Sequence, residues 1–430
     1  MTGLSAATVG IRAVLIPIAL LLTLVTARPA RAQSMDEFFD DSVVHEVRLS
    51  LNSKDWAALK QNYKENIYYP ATLKWRDVTV SNVGIRSRGL GSRSATKPGL
   101  RVDMDRYNVD QTFVGLKSFV LDNLTQDPSM LRERLAMSFF RRLGLPAPRE
   151  AHARLYINDQ FVGVYALVET IDKGFLGRSF GADSHGGTEN DGYLFEYDYV
   201  KEYRFNYMGS NLDEYKIFEP KTHEKDADAK IYGPIEDMIQ AVNETPDAIF
   251  NREVSTYLDL GKVATHLAIE NFLAEDDGIL GYAGMNNFYL YRFEDSKRSQ
   301  FIAWDKDNTF HAVDFDIMSR VGDNVLARRT LAESQYKNAY LNTLLDAAAS
   351  AMEPDAEAAQ DKSDKEKESL PGWLEREVRR QYDQIRSLAR SDTYKPYSND
   401  DFESSIEGLL TFARERARFV KDRVADERRR

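Results

Sequence analysis

Asp277, Asn286, Asn287, Asp305 and Asp307 fall within one stretch, ENFLAEDDGILGYAGMNNFYLYRFEDSKRSQFIAWDKDNTF, residues 270–310. The stretch offers carboxylate and amide oxygens and contains neither histidine nor cysteine. Donors of that kind suit Mg²⁺ or Mn²⁺, which also accept phosphate oxygens and water. In phosphoryl transfer one carboxylate orients or deprotonates an acceptor hydroxyl, while an amide and a second carboxylate hold the cation. The same residue types are the usual formers of turns and helix caps, so the pattern alone leaves both readings open. A calcium loop over 305–316 is excluded, because Phe310 stands where the tight turn needs glycine.

A second candidate is GIRSRGLGSRSATKPGLRVD, residues 84–103. Arg88, Gly89, Gly91 and Ser92 follow a strand-like run, and Lys97 precedes the next one. Glycines admit close backbone approach to an anion, while hydroxyls and cations add donors and charge. Arg86, Arg88, Arg93, Lys97 and Arg101 gather here in a chain of net charge −11. A solvated basic hairpin turn explains the pattern equally well. Elsewhere the chemistry thins out. The six histidines show no metal-binding spacing, and no G-x-S-x-G elbow exists. The absence of cysteine excludes disulfides, thiolate metal sites and a cysteine nucleophile. Glu133 and Glu169 are isolated in sequence, and a glycosidase pair remains open among 68 acids.

The elements that must position these residues follow from patterning. Strand-like alternation runs from Val43 to Val102, interrupted by a helical stretch for which Ser53 is the candidate N-cap. DPSMLRERLAMSFFRRLG reads as an amphipathic helix, capped by Asp127 or Ser129, with Pro128 early and Gly144 ending it. EAHARLYIND and QFVGVYALVETI form a hairpin across Asn158-Asp159. NNFYLYRFED and SQFIAWDKD form another, which brings Asp277, the asparagines and Asp305 to one side. The later chain is mainly helical, with a charged insert at 351–372 that reads as a solvated loop. The layout is α+β and two-lobed, β-rich first and more helical later.

The first 32 residues differ from the rest. Arg12, an apolar run from Ala13 to Val25 and Ala30-Arg31-Ala32 make a secretory signal peptide, cleaved after Ala32. The run is short of the ~20 residues a membrane span needs, so an exported protein without a span is expected, periplasmic or extracellular. Its loss removes Arg12, Arg28 and Arg31 and no acid, which makes the remainder more acidic still. Such a charge argues against nucleic acid as a partner.

With these residues in view, the chain resembles the spore coat protein H (CotH) kinase family. The likeness runs from about residue 43 to about 315 and includes VGIRSRGLGSRSATKPGLRVD, FVGVYALVETIDKGFL, DGYLFEYD and the NNFYLY…FIAWDKDNTF hairpin. It implies an atypical protein-kinase-like fold of two lobes, 43–170 and 171–350, with a helical region at 373–430. It implies ATP and Mg²⁺ or Mn²⁺ as cofactors and Ser/Thr of a protein as acceptor. Under it, Arg88, Gly89 and Ser92 belong to the phosphate-covering loop, and Lys97 reaches the phosphates, paired with Glu133. Glu169 lies beside the adenine, and Asp277, with Asp276 as the competing neighbour, is the catalytic aspartate. Asn286 or Asn287 and Asp305 hold metal, with Asp307 either a further ligand or a turn former. The family's usual P-W-D-L-D-x-T-F reads here Ala303 to Phe310, with Ala for Pro and Lys306 for Leu. The competing expectations are an envelope binding or structural protein that keeps the fold without transfer, and a kinase-like site that transfers another group, such as AMP.

Overall fold

Seven strands, β1 (His45–Ser50), β2 (Tyr69–Trp75), β3 (Val78–Arg88), β4 (Gly99–Asp103), β5 (Ser118–Asp122), β6 (Glu150–Ile157) and β7 (Gln160–Glu169), close into a barrel. Their order is β1-β2-β3-β4-β5-β7-β6, with β1 and β6 parallel where the ring closes. The computed structural model describes residues 1–3, 33–183, 185–367 and 369–429. The expected signal peptide therefore lies almost wholly outside the described residues. Met1–Gln33 and Ser34–Arg430 are separate units, and everything below concerns the second.

Alternation of side chains along a strand divides the barrel into two faces. Val47, Leu49, Leu73, Trp75, Ile85, Leu100, Phe119, Leu121, Leu155 and Ile157 point inward and are buried. Phe38, from the short helix Met35–Phe38, plugs one end, with ring centroids 5.1 Å from Trp75 and 5.0 Å from Phe119. Helix α1 (Ser53–Gln61) is capped by Asn52, whose side chain accepts from the Lys54 N–H, so the expected cap at Ser53 moves back by one residue. Helix α2 (Arg132–Arg142) begins later than the sequence suggests. Asp127 accepts from the backbone N–H groups of Ser129, Leu131 and Arg132 and organises the turn leading in, so Pro128 precedes the helix.

A second sheet has the order β11-β10-β8-β9, built from β8 (Tyr193–Tyr197), β9 (Phe218–Pro220), β10 (Phe288–Arg292) and β11 (Ser299–Ala303). Helices α3 (Leu260–Phe272), α4 (Ser334–Ala351), α5 (Trp373–Ser391) and α6 (Asn399–Glu427) share one apolar core with it and with α2. The architecture is α+β. The charged insert is closed at its base by a bridge between Pro354 and Gly372 and carries two short helices, Ala356–Ala359 and Asp364–Lys367.

The C-terminal helices are tied back to the barrel by one buried ion pair. Lys97 Nζ lies 2.7 Å from Asp392 Oδ2, and both side chains are almost fully buried. Asp392 Oδ2 also accepts from the Val164 N–H at 3.0 Å, beside Gly163 at φ +128°. A Cβ at Gly163 would collide with the Asp392 carboxylate, so glycine is required there. Burial lowers the Lys97 pKa, and Asp392 acts against that shift. Removing one partner of a buried pair strands the other charge. Asp392→Ala is accordingly expected to cost about 3–5 kcal/mol of unfolding free energy in denaturant titration, and Lys97→Met/Asp392→Asn to cost less.

Candidate active site

Helix α3 ends at Phe272, and Ala274 in the left-handed region (φ +53°) turns the chain toward the second sheet. The two neighbouring aspartates then part company. Asp276 turns to Arg320, 2.6 Å away. Asp277 faces the β10 entry, where its carboxylate accepts from Asn286 Nδ2 (3.1 and 3.2 Å) and Asn287 Nδ2 (3.0 Å). Burial raises the Asp277 pKa, against the pull of those amides and of Lys306.

From β11 the chain delivers Asp305, itself left-handed at φ +51°. A non-glycine residue there is held by its surroundings rather than by preference. The restraint is visible. Lys306, fully buried, donates to Glu270 Oε1 on α3 at 2.8 Å. Glu270 also accepts from the Ile279 N–H at 3.0 and 3.2 Å and faces His266 Nε2 at 3.3 Å. A Cβ on Gly278 would collide with that carboxylate. Glu270 thus grips the Asp277 loop through Ile279 and the Asp305 loop through Lys306. Burial pushes its own pKa up, but Lys306 and His266 overcome this and hold it at about 2.

The reverse holds for the site carboxylates. Burial pushes Asp305 up to about 6, with Arg88 opposing and Asp122 and Asp277 adding to the rise. Asp307 is driven well above the ordinary range by burial and then by Asp305. Glu133, on α2, is driven up by burial, Glu150 and Asp305. Arg88 is the cation among them, 3.6 Å from Asp122 and over the Trp304 ring at 5.5 Å. Gly89 has φ +105°, and Asn123 Nδ2 donates to the carbonyls of Ser92 and Lys97, both at 2.8 Å, which pins the loop.

Two expected partnerships are corrected. Lys97 does not pair with Glu133: it is spent on Asp392, and Glu133 lies among acids instead. The Glu169 carboxylate is held by Arg149 at 2.7 Å and Arg178 at 2.5 Å, so it stiffens the end of β7 rather than standing free. Beside it opens a cleft of about 730 Å³ whose lining includes Arg101, Glu169, Leu194, Glu196, Lys221 and Tyr289. The basic loop's contribution to the cleft is therefore Arg101, which hydrogen-bonds Asp103 and Ser118. Tyr289 packs edge-on to Trp304 at 5.4 Å and joins cleft to carboxylates. Sequence reasoning missed Glu270 and Lys221 altogether. Lys306 carried a signal, an ammonium where the family pattern has leucine.

Among the described residues no three carboxylates or histidines converge as a complete cation cage. The donors present are carboxylates and amides, with Asn286 and Asn287 grouped on Asp277 and Asp305 acting on Asp307. That fits Mg²⁺ or Mn²⁺, which keep waters and take phosphate oxygens as remaining ligands. The like-charged pair Asp305 and Asp307, pushed toward neutrality, is what a divalent cation would relieve.

Comparison with known proteins follows the same line. The family model described as CotH kinase protein matches residues 85–420. Inner spore coat protein H of Bacillus subtilis is 25% identical over 391 residues, 88% of this chain and 97% of that protein. Invasin CotH3 of Rhizopus delemar is 29% identical over 198 residues, 45% of this chain and 31% of that one. Among solved structures, the Helicobacter pylori proinflammatory kinase CtkA aligns over 77% of this chain and 95% of its own, at 11% identity and a TM-score of 0.28, too low to carry an argument.

Because Asp305 has its pKa raised above the unfolded value, its protonated form favours the fold at low pH. That contribution is lost as pH rises through about 6. A cation that takes the ionised carboxylates should reverse the loss. The rise in Tm produced by Mn²⁺ or Mg²⁺ is expected to be small near about pH 5, to grow through about pH 7, and to be absent in Asp305→Asn.

Proposed function

Since the chain belongs to the CotH kinase family, we propose that it is an exported, metal-dependent protein kinase that moves the γ-phosphoryl group of ATP to a Ser or Thr hydroxyl of a protein. The observation that carries this reading is the joint grip of Glu270 on the Asp277 and Asp305 loops, beside a cleft of about 730 Å³. A cleft of that size suits a nucleotide.

In this reading the barrel is the nucleotide-covering lobe, and the second sheet with its helices carries the reacting groups. The adenine edge meets backbone just beyond β7, at Thr170 and Ile171, because the Glu169 side chain is already engaged. Arg88 and Arg101 face the phosphates, with the Gly89–Ser92 turn covering them. Asp305, Asn286 or Asn287, and Asp307 would hold a divalent cation, which would supply charge neutralisation at the phosphates. Asp277 accepts the proton as the acceptor oxygen bonds to the γ-phosphorus and ADP leaves. Its raised pKa brings a carboxylate nearer the proton affinity that task needs. Positioning and electrostatics do most of such catalysis.

No helix among the described residues is long and apolar enough to cross a membrane. Residence outside the cytoplasm belongs to this proposal.

The test is transfer from labelled ATP to a Ser/Thr protein acceptor. Asp277→Asn and Asp305→Asn should each lower it by at least about 10²-fold with an unchanged circular dichroism spectrum. Undiminished transfer in both variants would sink the assignment. Nucleotide binding without transfer in the wild type would favour a binding protein on this fold.

A further inference from the structure

On the barrel wall formed by β1, β2 and β6, alternation turns one set of side chains outward. On β1 these are Glu46 and Arg48, on β6 Arg154 and Tyr156, and at the end of β2 Lys74 and Arg76. Strand register places them in rows, with Lys74, Arg48 and Tyr156 abreast and Arg154 beside Glu46. Around the ring, β1 is three strands from β4 and three from β5, and the short helix Met35–Phe38 lies between the two concavities, with Met35 lining the cleft and Glu37 meeting Arg76.

The face is concave. A cavity of about 500 Å³ is lined by Arg48, Lys74, Arg76 and Arg154, with Glu46 the only acid in the lining. Glu46 is shared, 2.7 Å from Arg48 and 3.1 Å from Arg154. Asp159 meets Arg48 from outside at 2.9 Å, and Glu37 meets Arg76 at 3.1 Å. Lys74 has no side-chain partner among the described residues, and Arg154 Nε is buried without one. Four cations at one concavity in a chain of net charge −11 run against the rest of the surface.

We propose that this face docks an anionic polypeptide segment, one carrying clustered phosphoserine or glutamate. Guanidinium forks match the paired oxygens of phosphate monoesters and carboxylates. Four cations against one acid in the lining supply the charge complementarity that favours this wall. If the segment belongs to the acceptor, a point that rests on the proposed function, then each phosphate added at the cleft strengthens the hold at this second wall. Successive modification of one chain follows from the raised local concentration of its remaining hydroxyls.

The experiment is fluorescence anisotropy on the full chain with three labelled peptides of one length, bearing serine, phosphoserine or glutamate clusters, plus anionic phospholipid vesicles. No catalysis is involved, so the outcome is independent of whether transfer occurs. Binding of the phosphoserine or glutamate peptide is expected, weaker with added salt and weaker by at least about tenfold in Lys74→Ser/Arg154→Ser. Preference between those two peptides identifies the source of the charge. Lys74→Glu alone, an exposed change, should weaken binding in the same direction with Tm unchanged. Equal peptide affinity in wild type and both variants, or attachment to vesicles alone, overturns the proposal.

Discussion

The pair formed by Glu270 and Lys306 is the contact on which the geometry of the site depends. Both side chains are buried, and each would be costly alone. Together they solve a problem that neither loop solves locally. Asp277 arrives from the end of a helix and Asp305 from the end of a strand, with left-handed residues in both approaches. Two backbone bonds join the segments, from the Asp276 N–H to the Asn308 carbonyl at 3.0 Å and from the Phe310 N–H to the Leu273 carbonyl at 2.6 Å. The Glu270 carboxylate adds a side-chain tie, accepting from Ile279 on one side and Lys306 on the other.

Charge follows from that arrangement. The region is rich in acids, yet the acids differ in kind. Glu270 is kept ionised at about 2, whereas Glu275 and Glu150 rise to about 8, burial being the first cause of each rise. Arg88 reaches Asp122 and acts on Asp305, while Lys306 acts from behind on Glu270 and Glu275. The cations therefore sit on two sides of the Asp305–Asp307 strand end.

The sequence revealed most of the strands, though not β5 or β9, with the two hairpins, the α2 helix and the D…NN…D spacing, because each is written in local periodicity or turn chemistry. The distinction between Asp276 and Asp277 was not legible. It turns on which way two adjacent carboxylates face, decided by Arg320 and by Asn286 and Asn287 at a distance along the chain. Lys97 was misread for a related reason. Its position in a glycine-rich basic loop suggested an anion, but its true partner stands 295 residues away. Arg101, in the same loop stretch, reaches the cleft because strand parity turns it there. Lys306 looked like a neutral departure from a pattern, and only the packing of α3 behind it shows why a cation is tolerated.

The bond between Lys97 and Asp392 also says something about the order of assembly. All seven neighbouring strand pairs of the barrel form within the first 170 residues, and the ring itself is topologically finished there. Yet its loop encloses an ammonium whose counter-charge is near the far end of the chain. Contacts of such long separation form late, after the entropy of closing the intervening loop has been met. During synthesis from the N-terminus the barrel emerges with an unneutralised cation that cannot yet be enclosed. Enclosure of Lys97 therefore waits on the last helices, and the packing of the first half depends on the far end of the chain.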